Sequence, residues 1–170
     1  MSGRHCIDAN VFITAWYINY PPHILSSLWK RIAECRNDIE IIKPVFDEIE
    51  PISSSDLKLS TDEKRAKYPL RIWLEEANFP VPRIDNEVNR LSLVLEREYE
   101  ISNESKGAGQ VDITLIAYAK VMKKTVVTLE SQQPQKPGKK SNYKIPLICR
   151  EQHVDCISFV TMLAQLGIRI

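Results

Sequence analysis

Four carboxylates stand where solubility alone does not call for an acid: Asp8, Glu48, Asp112 and Glu130. Asp8 follows the short run "HCI" and is followed two residues later by Asn10. Glu48 lies in "VFDEI", Asp112 opens the apolar stretch "VDITLIAYA", and Glu130 closes "TVVTLE". Each acid has a plain structural account. Asp8 would cap a helix, Asp112 would answer its helix dipole, Glu48 would be a solvated neighbour of Asp47, and acids after strands are ordinary. Gathered at one edge, however, like charges disfavour one another's ionisation unless a cation intervenes. A hard divalent ion with oxygen ligands, Mg²⁺ or Mn²⁺, fits such a donor set better than zinc. A site of that kind holds a scissile phosphate and lowers the pKa of a bound water; with two ions it stabilises both attacking and leaving oxygens. The distances between the four acids in the folded chain decide between the two accounts.

No Ser/His/Asp or Cys/His arrangement points to covalent catalysis. His5, His23 and His153 are scattered without ligand spacing. Cys6, Cys35, Cys149 and Cys156 form no CxxC pair and lie in or beside apolar stretches, so they read as small buried hydrophobes.

The elements that must carry these acids alternate between short apolar strands and helices. Strands are predicted at His5–Ile7, in "DIEII", in "TVVTLE" and in "DCISF". Helices are predicted over residues 9–18, in "YPPHILSSLWKRIAECR" with Ile24, Leu28 and Ile32 on one face, and in "KPVFDEIEPI" with Val45, Phe46 and Ile49 buried. Further helices are predicted in "YPLRIWLEEANF", after the cap Asp85 in "DNEVNRLSLVLEREYE", in "VDITLIAYAKVM", in "IPLICREQHV" and in "FVTMLAQLGI". The "VDITLIAYAKVM" helix is apolar nearly all round and must be buried. Residues 53–64, "SSSDLKLSTDEK", read as a polar surface segment, and "SNESKGAGQ" as a loop. This alternation implies an α/β sandwich with a mainly parallel sheet. In such sheets the site lies beyond the carboxyl ends of the strands.

With 170 residues, 44% hydrophobic and 26% charged, the chain reads as a single domain over 1–170 with a substantial core. A net charge of +1 argues against global electrostatic binding of nucleic acid and for local contact. The loop "QKPGKKSNYK" carries Lys136, Lys139, Lys140 and Lys144 with Tyr143. At the Glu130 edge it would hold an RNA backbone and stack a base; otherwise it is a solvated surface loop. No apolar run approaches membrane-span length. Arg4, His5 and Asp8 break up any export signal, and unpaired cysteines suit a reducing compartment. The expectation is therefore a cytoplasmic protein without a membrane partner.

Taken in order, these motifs resemble the PIN domain over essentially the whole chain. "IDANVFI" is similar to that family's opening D-x-N motif, "VFDEI" to its second acidic motif, "VDITLIAYA" to its third, and "VVTLE" to its strand-end motif. "YPPHILSSLWKRI" and "IPLICREQHVDCISFVTMLAQLG" are similar to a PIN-like branch of unknown function, related to VapC-type toxin ribonucleases. The resemblance implies a three-layer α/β/α sandwich with a mainly parallel central sheet, and a Mg²⁺- or Mn²⁺-dependent endoribonuclease. It implies the toxin of a type II toxin–antitoxin pair, with RNA as substrate and an antitoxin protein as partner. Asp8, Glu48, Asp112 and Glu130 would be metal ligands, direct or through water. Asn10 would orient the carboxylates by hydrogen bonding, and Thr128 would offer its hydroxyl to a carboxylate or phosphate. One departure is visible: the last acid is commonly Asp with another acid soon after, whereas here Glu130 is followed by "SQQPQ".

Rival readings are open to test. A haloacid-dehalogenase-like phosphatase wants a second acid where Asn10 stands, and a receiver-type domain wants a lysine after a later strand. A PIN scaffold without catalysis, binding protein or RNA, accommodates the Glu130 departure. Apolar faces on 22–35 and 68–79 suit either a homodimer or the core.

Overall fold

The computed structural model describes residues 4–169. Four short strands form one all-parallel sheet in the order β2-β1-β3-β4: β1 (His5–Ile7), β2 (Ile39–Glu40), β3 (Thr125–Val127) and β4 (Cys156–Ile157). Helices flank it on both faces, giving the three-layer α/β/α sandwich anticipated from the alternation of elements. β1 and β3 are central, and every residue of β1 is buried, as expected of a strand covered on both faces.

From β1 the chain enters α1 (Ala9–Thr14), which runs into a π-helical turn at Ala15–Asn19. α2 spans Ser26–Glu34, later than the two prolines suggest. Pro21 O accepts the Ile24 and Leu25 N–H groups at 3.0 and 2.9 Å, so the prolines make a separate turn. Ile24 is consequently outside the buried stripe, at 69% exposed, while Leu28, Trp29 and Ile32 are buried. α3 (Lys43–Glu48) buries Val45 and Phe46. The segment read as polar surface contains a helix of its own, α4 (Thr61–Lys67). Its Ser60–Glu63 capping box is the signal that outweighs its lack of apolar periodicity. α5 (Pro69–Glu76) follows, then α6 (Asn86–Glu98), whose cap Asp85 accepts the Val88 N–H at 2.9 Å.

α7 (Gln110–Met122) is the buried helix, with Ile113 and Leu115 through Ala119 inside. α8 (Ile145–Glu151) and α9 (Phe159–Gln165) complete the layers. The apolar faces of α2 and α5 meet each other. Trp29 packs against Trp73 at 5.3 Å, and Trp16, Phe12 and Phe79 join the cluster. The buried residues of those faces belong to the core. Each fully buried Leu, Ile or Phe there contributes about 1.5–3 kcal/mol. Among the described residues no helix is long and apolar enough to cross a membrane. The four cysteines are free, with Cys6 and Cys149 fully buried.

Candidate active site

Sheet order fixes where a crevice opens. The chain passes from β1 to β2 on one side and reaches β3 on the other, so the strand order reverses between β1 and β3, and ligands bind beyond the carboxyl ends there. Ile7 lies opposite Val127, and the Asp8 N–H donates to Val127 O at 3.1 Å, extending the ladder one residue. Asp8 is thereby held beside Thr128, two residues before Glu130. Asp8 occupies the N-cap position of α1, and its carbonyl accepts the Val11 N–H at 3.1 Å, yet its side chain makes no capping bond. It is 4% exposed.

Burial raises the Asp8 pKa to about 7, and the charges of Asp112, Glu130 and, least, Glu48 push in the same direction. The Asn10 backbone N–H opposes them. This is a buried carboxylate surrounded by other carboxylates. An isolated buried charge is costly, and such a group stays protonated or takes a cation.

Asp112 stands in the first turn of α7, where its Oδ2 accepts the Gly109 N–H at 2.8 Å. Burial raises its pKa against that bond. One Asp112 oxygen thus serves the helix end while its charge reaches Asp8. The helix start is set by a close backbone approach. Gly107 N–H donates to Ser141 O at 3.1 Å and Ala108 N–H to Tyr143 O at 2.8 Å. A Cβ at Gly107 would lie 2.2 Å from the Tyr143 carbonyl oxygen.

Glu130 accepts the Ile145 N–H at 2.7 Å on Oε2, capping α8. Burial and Asp112 raise its pKa; that backbone bond and Lys144 lower it. Thr128 is 3% exposed, and its Oγ1 accepts the Glu130 N–H at 3.2 Å. It shapes the turn that aims Glu130. Glu48 ends α3 and is exposed; burial, then Asp112, raises its pKa. Its helix end is held by Arg71, which donates to Phe46 O at 2.7 Å and Ile49 O at 3.2 Å while lying 3.8 Å from the Phe46 ring centroid.

The structure thus sets Asp8 in the field of the other three acids, and Asp112 acts on Glu48 and Glu130 as well. As the side chains stand, no group of three among the described residues is close enough to hold a metal ion directly. Asp112 and Glu130 each have one oxygen engaged by a backbone N–H and the other left over. Mg²⁺, however, commonly keeps several waters and binds through one or two carboxylates, so the donor set fits a hydrated ion.

The supporting residues divide differently. Asn10 is exposed, and its side chain makes no hydrogen bond among the described residues; its backbone N–H does the orienting. Of the four lysines only Lys144 acts on a site acid. Lys136 pairs with Glu151 at 2.5 Å, at the far end of α8. Lys139 is exposed in a separate hollow with Ser102 and Lys106, and Lys140 is exposed beside Glu151. Tyr143 cannot stack a base, because it is buried 6.0 Å from the Tyr99 ring. Gln133 pins this loop, accepting the Lys144 N–H at 2.7 Å and donating to Asn142 O at 3.1 Å. Sequence reading missed Arg71, Gly107 and Gln133, whose roles depend on backbone atoms distant in the chain. It also missed the buried Glu40, which accepts from Tyr118 Oη at 2.6 Å and pairs with Lys124 at 3.3 Å. An acid flanked by isoleucines in "DIEII" was its signal.

A hollow of about 240 Å³ adjoins the crevice, bordered by Thr128, Glu130, Pro146 and Cys156. A larger one, about 350 Å³, lies at the opposite strand ends around Lys120, Lys123 and Thr125, away from the acids.

The family model described as "Domain of unknown function (DUF4411)" matches residues 5–170. Among solved structures, the crystal structure of PAE2754 from Pyrobaculum aerophilum is similar. It has a TM-score of 0.57 at 12% identity, over 99% of this chain and 98% of that one. At that identity the likeness concerns the fold alone. No curated protein matches the sequence.

Proposed function

The chain belongs to the DUF4411 family, a domain of unknown function, and from that premise we propose that it is a metal-dependent endoribonuclease. The observation that carries the reading is Asp8, a carboxylate 4% exposed in the β1–β3 crevice, with three further carboxylates acting on it. Structural service alone leaves that arrangement a net destabilising charge. A divalent cation turns it into a binding site. The resemblance of the four acidic motifs to the PIN domain supports the same reading.

Asp8, Asp112 and Glu130 would hold Mg²⁺ or Mn²⁺ directly or through water, with Glu48 at the open rim. Such an ion supplies Lewis acidity toward a phosphodiester and makes water a better nucleophile. The chain's own work is positional. The β1–β3 ladder fixes Asp8, the Gly109 and Ile145 N–H groups orient Asp112 and Glu130, and Arg71 fixes the α3 end that presents Glu48. Lys144, beside Glu130, is the cation available to an incoming phosphate. On the same resemblance we propose a cytoplasmic toxin of a type II pair, restrained by an antitoxin protein.

One observation favours a second reading, a PIN-like scaffold that binds protein or RNA without cleaving it. No three acids among the described residues chelate as they stand, and Glu130 caps α8 through the Ile145 N–H. The two readings separate on labelled single-stranded RNA incubated with Mg²⁺, Mn²⁺ or EDTA. Metal-dependent cleavage abolished by Asp8→Asn and by Asp112→Asn is expected. Cleavage surviving both substitutions rejects the site, and inactivity in every metal with retained binding selects the scaffold.

A further inference from the structure

Two of the four free cysteines form a pair that the carboxylate site does not use. Cys149 lies in α8 and Cys156 in β4. The chain turns between them at His153, whose φ is 55°, and the Val154 N–H donates to Cys149 O at 2.9 Å. Cys156 then enters the sheet opposite Val126. This tight return sets the two side chains together, so that the Cys149 thiol donates a hydrogen bond to the Cys156 sulfur. Their accessibility differs. Cys149 is fully buried, whereas Cys156 is half-buried and borders two hollows, of about 240 and about 460 Å³. The smaller is the one that Thr128 and Glu130 also line. A water molecule takes about 30 Å³ in the liquid, so either hollow admits a small peroxide to Cys156. Cys6 is near enough to act on Cys149, but it is fully buried in β1.

We propose that Cys149 and Cys156 are a peroxide-oxidised pair that closes reversibly into a disulfide, tying α8 to β4 beside Glu130. The proposal does not depend on the nuclease reading. Sulfurs already in hydrogen-bond contact need only a short approach to reach the about 2.05 Å of a disulfide. In a reducing compartment such a pair rests as thiols and is oxidised transiently. The accessible sulfur reacts first. Cys156 sulfur attacks one oxygen of hydrogen peroxide, the O–O bond breaks, and the departing oxygen leaves as water with the thiol proton. Cys156 is then a sulfenic acid. The Cys149 sulfur attacks it, the S–S bond forms, and the hydroxyl leaves as a second water with the Cys149 proton. The two thiols lose two electrons and the peroxide gains two. Glu130 holds the Ile145 N–H at the start of α8, so the new bond restrains the same helix that this site acid caps.

The test is hydrogen peroxide added to the reduced chain, followed by alkylation of the remaining thiols, trypsin digestion and mass spectrometry. Cleavage after Lys144 and Arg150 puts Cys149 in peptide 145–150 and Cys156 in peptide 151–169. The disulfide is expected as these two peptides linked, and the link is expected to vanish with dithiothreitol. Cys149→Ser is expected to stop at a dimedone-reactive sulfenic acid on Cys156, and Cys156→Ser to leave Cys149 unoxidised. Amide exchange over residues 145–151 is expected to slow about 10-fold or more in the oxidised chain. Wild-type peptides that stay unlinked overturn the proposal. A link to Cys6 or Cys35 instead, disulfide dimers in place of the internal link, or a link that dithiothreitol does not reverse also overturns it. Unchanged amide exchange in the linked chain overturns the restraint on the helix that Glu130 caps. A chain that closes this bond and cleaves no RNA, reduced or oxidised, upholds the pair and rejects the nuclease.

Discussion

Replacing Asp8 by Asn should make the metal-free protein more stable while removing its capacity for metal. Asp8 is raised from 3.8 to about 7, first by burial and then by Asp112 and Glu130. A raised carboxylate binds its proton more tightly folded than unfolded, so stability is greatest below about pH 4 and is lost as pH rises to about 7. At 1.36 kcal/mol per pH decade, the ionised side chain costs the fold about 4 kcal/mol at pH 8. Asn keeps the shape without the charge. Urea denaturation in EDTA should therefore show Asp8→Asn exceeding wild type by about 1.5 kcal/mol at pH 5 and about 4 kcal/mol at pH 8. Mg²⁺ should stabilise wild type at pH 8, by about 2.7 kcal/mol at a hundredfold excess over Kd, and the variant much less. A variant less stable than wild type at pH 8, or a gap that does not change with pH, would refute the argument that Asp8 is an uncompensated buried charge.

Other expectations follow from the supporting contacts. Glu130→Gln keeps an oxygen for the Ile145 N–H but removes the charge, so RNA cleavage should fall about 10–100-fold with the melting temperature nearly unchanged; activity at the wild-type level would remove Glu130 from the site. Gly107→Ala forces a methyl to 2.2 Å from Tyr143 O and should destabilise by about 1–3 kcal/mol, read by thermal melting, with loss of activity through a displaced Asp112. Arg71→Met keeps some packing on Phe46 but leaves the Phe46 and Ile49 carbonyls without their donor. A loss of about 1.5–3 kcal/mol in urea denaturation and a weaker effect of Glu48→Gln in that background are expected.

The elements were largely legible because their signals are local. Asp85 announces α6, the mostly apolar run of 111–119 announces a buried helix, and the β-branched "TVV" announces β3. Where reading failed, competing local chemistry prevailed. The prolines at 21–22 made a turn rather than a helix start, and the Ser60–Glu63 capping box built a helix in a segment without apolar periodicity. The loop lysines were legible as charges but not as a group, since Glu151 draws Lys136 to the other end of α8. Tyr143 looked available and is buried against Tyr99.

The sequence by itself determined which acids stand at element boundaries, because strand ends and helix starts are written in neighbouring residues. It could not determine that Asp8 would lie beside Thr128, or that Asp112 and Glu130 would act on it. Those relations join residues more than a hundred positions apart and depend on parallel register. Nor could it show that Asp8 is buried or that Arg71 fixes the end of α3. Burial and field are sums over neighbours that only the packed fold supplies, and they set Asp8 among the charges of Asp112, Glu130 and Glu48.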